Sequence, residues 1–135
     1  KKSSRYLLAW DFVRYYFVYI MVSAALWKII RGTAFSKDHF SEILFRQNAL
    51  DWALNPNSLS HQMGIYLFEH HALAQALFLV VILLQLSFSA ALFTRRYDKI
   101  LALLFLIFTV FNQLIMGVFS WPLLVFLIPF VARKP

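Results

Sequence analysis

Residues 66–86 read YLFEHHALAQALFLVVILLQL. The ionisable residues Glu69, His70 and His71 end abruptly, and from Ala72 to Phe93 no Asp, Glu, Lys or Arg occurs. A hydrocarbon core of about 30 Å takes roughly 20 helical residues. The uncharged run reaches that length, so it predicts a helix that crosses a membrane. Ile100 to Phe119 predicts a second such helix. Upstream, Phe12 to Ile30 predicts another, with Arg14 and Lys28 near its ends, where long cationic side chains extend their heads to the lipid headgroups. The closing stretch 120–132 is only about a dozen residues, or about 18 Å of α-helix. Ser120 suits its N-cap and Pro122 its first turn, while Pro129 weakens its last turn.

Charge decides in favour of a fourth crossing. Lys1, Lys2, Arg5, Arg14, Arg95, Arg96, Lys99, Arg133 and Lys134 share one side with only Asp11 and Asp98. On the other side Lys28, Arg31, Lys37 and Arg46 balance Asp38, Glu42, Asp51 and Glu69. The net charge of +7 therefore lies on one side. The positive-inside rule places that side, and both termini, in the cytoplasm. The expected class is all-α, an integral membrane four-helix bundle in one domain, with spans 12–30, 72–93, 100–119 and 120–132. A bacterial inner membrane is the expected compartment.

Composition agrees. Of 135 residues, 61% are hydrophobic and 14% charged, whereas a soluble domain is about a quarter charged. The absence of cysteine excludes disulfides, thiol exchange and cysteine-ligated metal in this chain. Three glycines form no phosphate-binding loop. The basic residues flank apolar runs instead of lining a polar face, so no nucleic-acid partner is expected. The expected partners are the lipid bilayer and other membrane-protein subunits.

The outer segment 31–71 holds all four histidines. Within it, FSKDHFSEILFRQNALDWALNPN predicts an amphipathic helix capped by Ser36, with Phe40, Ile43, Leu44, Leu50 and Leu54 on its apolar stripe. Asn55-Pro56-Asn57 ends it. A further helix starts near Ser58 or Ser60 and, without a strong stop signal, continues into the run at Ala72.

Two readings of Glu69, His70 and His71 stand: the polar lip of a membrane helix, or a functional acid or base. Neighbouring residues on a helix point about 100° apart, so the three do not suit one metal ion, and no metal is expected. An ion pair between Glu69 and Lys28 is one expectation, and separate contact with water the other. The amides within lipid, Gln75, Gln85, Asn112 and Gln113, seek partners on other helices. Gln75, Asn112 and Gln113, with Lys28, fall in the outer half of the membrane. They serve either as interhelical contacts or as the polar lining of a quinone or lipid cavity walled by Trp27 or Trp121.

The stretch RYYFVYIMVSAALWKII, followed after the outer segment by GIYLFEHHALAQALFLVVILLQLSFSAALFTRRYDKILALLFLIFTVF, resembles the DoxX/MauE-type membrane proteins. These are four-helix bundles with a glutamate at the head of the second helix, matched here by Glu69, and an arginine-bearing turn after it, matched by FTRRYDK. Where that family commonly has glycines after the glutamate, this chain has His70-His71-Ala72. The stretch FNQLIMGVFSWPLLVFLIPF is also similar to the end of the membrane domain of vitamin K-dependent carboxylase-like proteins. The first resemblance implies membrane redox work beside a quinone or a thiol system. Without cysteine, the thiols would belong to a partner. The expected role is an accessory or anchoring subunit of a membrane complex that lines a quinone or lipid site. The alternative is a quinone-linked oxidoreductase or carboxylase-like enzyme using Glu69, His70 or His71 as acid or base. A small transporter ranks below both.

Overall fold

Helix α1 (Lys2–Ile30) is long enough, at about 43 Å, to overrun a membrane core. The computed structural model describes residues 2–116 and 121–132, with side chains for 4–115 and 122–132. Expectations for Lys1, the Lys2 side chain, the last three residues of the span 100–119, Ser120, the Trp121 side chain, Arg133 and Lys134 lie outside what is described. Gly32 takes φ 73°, a left-handed turn that glycine adopts without strain, and this reverses the chain after α1. A short 3₁₀ helix, Thr33–Phe35, leads into α2 (His39–Leu54), which α3 (Leu59–Glu69) follows. Then come α4 (His71–Ser87), a 3₁₀ extension Phe88–Leu92, and α5 (Asp98–Met116). The described chain ends in a 3₁₀ helix, Trp121–Leu127, and one turn, α6 (Ile128–Val131). No strand occurs among the described residues.

Three helical stretches are long and apolar enough to cross a membrane: Ser4–Ile30, His71–Leu92 and Asp98–Ile115. The expected α-helical span at 120–132 is corrected, because that segment is mostly 3₁₀. The tighter winding rises about 2.0 Å per residue, so fewer residues cover more distance. Its far end returns to the end of the bundle where α5 begins, against the middle of α1. There Phe130 joins Phe17, Phe88 and Phe105 in a box of four rings whose centroids lie 5.2 to 6.0 Å apart, mostly edge to face. Edge-to-face pairs set the positive rim of one ring against the negative face of another. The box is fully buried and ties α1, the α4 extension, α5 and α6 together.

The same end carries a clasp. Arg14 is 2% exposed and does not reach toward headgroups as its sequence position suggests. Its Nε donates to Asp98 Oδ2 at 2.8 Å and its Nη2 to Oδ1 at 2.9 Å. Arg95 pairs in return with Asp11. Two ions brought out of water need this bidentate geometry to offset their lost hydration.

The opposite end is covered by the α2–α3 hairpin. Ser58, rather than Ser60, caps α3 by accepting from the His61 amide at 3.1 Å. Ser36 does not cap α2; it follows the 3₁₀ turn, and Asp38 stands at the N-cap position. The buried stripe of α2 runs through Ser41, Leu44, Asn48 and Trp52, while Leu50 and Leu54 are 74% and 71% exposed. The expected stripe was displaced because Trp52 packs onto Gly64 of α3. A Cβ at Gly64 would collide with Trp52 Cζ2. Gly64 therefore does not break its helix; it provides the hollow for the indole.

Candidate functional site

The expected continuous helix from Ser58 into the apolar run is interrupted at His70, whose φ −108° and ψ 72° are not helical. Glu69 is thus the last residue of α3 and His71 the first of α4. The break lets α3 fold back over α5, where Ser60 Oγ donates to the Ile115 carbonyl. It also sends the three ionisable side chains apart. Glu69 is exposed and makes no ion pair with a described residue. His70 stacks on Tyr66 with centroids 4.2 Å apart, and its Nδ1 lies 2.8 Å from the Tyr66 carbonyl. His71 Nδ1 lies 2.8 Å from Ser41 Oγ and 3.4 Å from Asp38 Oδ1.

The Ser41–His71–Asp38 set looks at first like a nucleophile relay. Such a relay needs the hydroxyl and the carboxylate on opposite ring nitrogens. Here both face Nδ1, and Ser41 also donates to the Asp38 carbonyl. The set joins the start of α2 to the start of α4 and has no relay geometry. Among the described residues no three His, Asp or Glu side chains gather to hold a metal.

Lys28 behaves differently from its sequence reading. A helical side chain leans toward the N-terminus of its helix. Lys28 stands near the far end of α1, so its ammonium leans back into the bundle and not out to water. It donates to Gln85 Oε1 at 3.0 Å and lies 5.4 Å from the Phe78 ring centroid. The expected pair with Glu69 is not formed. Gln85 is one of the amides expected to find an interhelical partner, but its pairing with Lys28 was not foreseen. The Phe17–Phe88 contact of the antiparallel α1 and α4 sets Lys28 level with Phe78, and Lys28 and Gln85, each leaning toward the N-terminus of its own helix, close the remaining distance.

Arg14 holds Asp98, and α1 and α5 leave this clasp in the same direction. Lys28 follows Arg14, and Asn112 follows Asp98, by the same number of residues, about 21 Å of helical rise. The two polar residues therefore share one height and line one groove. It runs between α4 and α5, encloses about 740 Å³ and is apolar over nearly its whole wall. Phe40 and Ile43 of α2 cover one end, and Leu104 and Ser87 mark the other. The Ser87 hydroxyl is engaged with the Leu84 carbonyl. The polar groups left facing the groove are Lys28 and Asn112, and no described residue hydrogen-bonds the Asn112 amide.

The other expected lining residues lie elsewhere. Gln75 is half-buried on α4 away from the groove wall. The side-chain oxygen of Gln113 is buried without a partner among the described residues. Trp27 is exposed beneath the Arg31 guanidinium, 4.5 Å from its ring centroid. The structure thus brings together two of the expected residues, Lys28 and Asn112, and adds Gln85 behind them. Neither protein-family models, curated proteins nor solved structures contain a match to this chain.

Proposed function

We propose that this chain is a four-crossing integral membrane protein that holds a lipid-class or quinone molecule in the groove between α4 and α5, as an accessory or anchoring subunit of a membrane complex. The single observation that carries the reading is the groove itself. Small-molecule sites enclose about 300–1,000 Å³ and combine apolar walls with a few placed polar groups. This one encloses about 740 Å³ and presents Lys28 and Asn112 at one height. Large apolar side chains such as Val80, Leu83, Leu104 and Ile107 are exposed along it, which suits entry from lipid. The likeness of the helices to DoxX/MauE-type proteins supports a quinone among the candidate ligands. The clasp end is assigned to the cytoplasm, with both termini there, in a bacterial inner membrane. The reading that makes Glu69, His70 and His71 an acid–base centre gains no support, because those side chains diverge.

The test uses the purified chain in phosphatidylcholine nanodiscs, with native mass spectrometry of bound small molecules. Wild type is expected to carry a lipophilic molecule that Ile107→Trp, which fills the groove, loses while its melting temperature stays near wild type. Equal occupancy in the two proteins overturns the reading.

A further inference from the structure

The charge around Lys28 asks for a specific kind of ligand. An ammonium at membrane depth is costly unless paired, and Lys28 has only a neutral amide and a ring face as neighbours. All six acids of the chain are described, and none serves it. Asp98 holds Arg14, and Asp11 holds Arg95. Glu42 lies 3.8 Å from Arg46, and Asp38 faces His71. Asp51 accepts from Asn55 on α2, and Glu69 is exposed at the end of α3. The neutralising charge has to come from outside the chain.

We infer that the groove binds a long-chain carboxylate, with its headgroup between Lys28 and Asn112 and its chain running along α4 and α5 toward Leu104. This rests on the groove being a ligand site. One ammonium matches one negative charge, and an ammonium with an amide lining the same groove offers donors to the two oxygens of a carboxylate. The wall from Asn112 to Leu104 gives the chain about 12 Å of apolar contact. A bilayer phospholipid fits less well, because the apolar Phe40 and Ile43 of α2 line the same groove as Lys28, where a bulky polar headgroup would sit. A quinone would supply acceptors but no charge.

The probes are hexadecanoate and 1-hexadecanol, titrated into the chain in phosphatidylcholine nanodiscs at neutral pH. Wild type is expected to bind the acid about tenfold more tightly than the alcohol, as befits one charge-assisted contact. Lys28→Gln is expected to lose the preference and bind both alike, and Lys28→Arg to keep the preference. Equal binding of acid and alcohol by wild type overturns the carboxylate assignment and leaves the groove standing as a neutral-ligand site. A preference that survives in Lys28→Gln overturns it as well. If neither probe binds, or if Ile107→Trp binds both as wild type does, the groove reading itself fails.

Discussion

Gly64 and Trp52 show how one missing atom sets a local fold. The indole occupies the space where any other residue would carry its Cβ. Gly64→Ala forces the indole out of a fully packed site, and overpacking of this kind costs about 1–3 kcal/mol. We expect a lower melting temperature in detergent for Gly64→Ala. Adding Trp52→Phe should recover part of that loss, and no recovery would show that the clash lies elsewhere. Arg14 and Asp98 make the complementary case, in which two side chains succeed only together. Removing either partner strands a buried charge, at about 3–5 kcal/mol, whereas replacing both with apolar residues of similar volume is often neutral. Arg14→Met and Asp98→Leu are each expected to unfold the chain at markedly lower temperature, and the double variant to melt near wild type. A double variant as weak as the singles would deny the pair its role. Neither contact was legible in the sequence. Asp11 and Asp98 read as minor offsets to a basic side, and nothing near Gly64 pointed to Trp52, because a partner far along the chain leaves no local mark.

The helices themselves were legible where apolar length alone decides them. Ala72–Phe93 and Ile100–Phe119 needed no tertiary knowledge, and the structure keeps both as apolar helical stretches, His71–Leu92 and Asp98–Ile115. The turn at Asn55–Asn57 and the cap at Ser58 were legible too, because turn and cap chemistry is local. What the letters hid was the break at His70. No proline or glycine marks it, and it exists because α3 must fold back over α5 while α4 pairs with α1. The groove was half legible for a similar reason. Lys28 and Asn112 could be placed at similar depth by counting, but Gln75 and Gln113 could not be turned to one face or another without the packing. The Ser58 cap gives the test suited to an element. Ser58→Ala removes the acceptor for the His61 amide at a cost of about 1 kcal/mol. Hydrogen exchange should rise over the first turn of α3 and stay unchanged in α5. Faster exchange throughout α5 would instead mean that the hairpin and the bundle unfold as one unit.

The whole chain is organised by its two unlike ends. One end gathers the arginine–carboxylate clasp, the box of phenylalanines and the return of the last segment. The other carries the α2–α3 hairpin with its histidines and balanced charges. Because Phe130 lies 5.5 Å from the Arg14 guanidinium, the described chain ends beside the clasp, near the middle of α1. A 3₁₀ segment lengthens this return by only about 0.5 Å per residue over an α-helix, so the stretch from Trp121 to Val131 covers about 20 Å and crosses only where the bilayer thins around it. It follows that Ser4, Arg96 and Ala132 should lie on one side of the membrane and Asn57 on the other. The chain has no cysteine, so a thiol placed at each position in turn is the only one present. A membrane-impermeant maleimide applied to intact cells should label Asn57→Cys and should label Ser4→Cys, Arg96→Cys and Ala132→Cys only after the membrane is opened. Labelling of Ala132→Cys together with Asn57→Cys in intact cells would mean three crossings. The excess of positive charge would then no longer share one side, and the cytoplasmic assignment of the clasp would lose its basis.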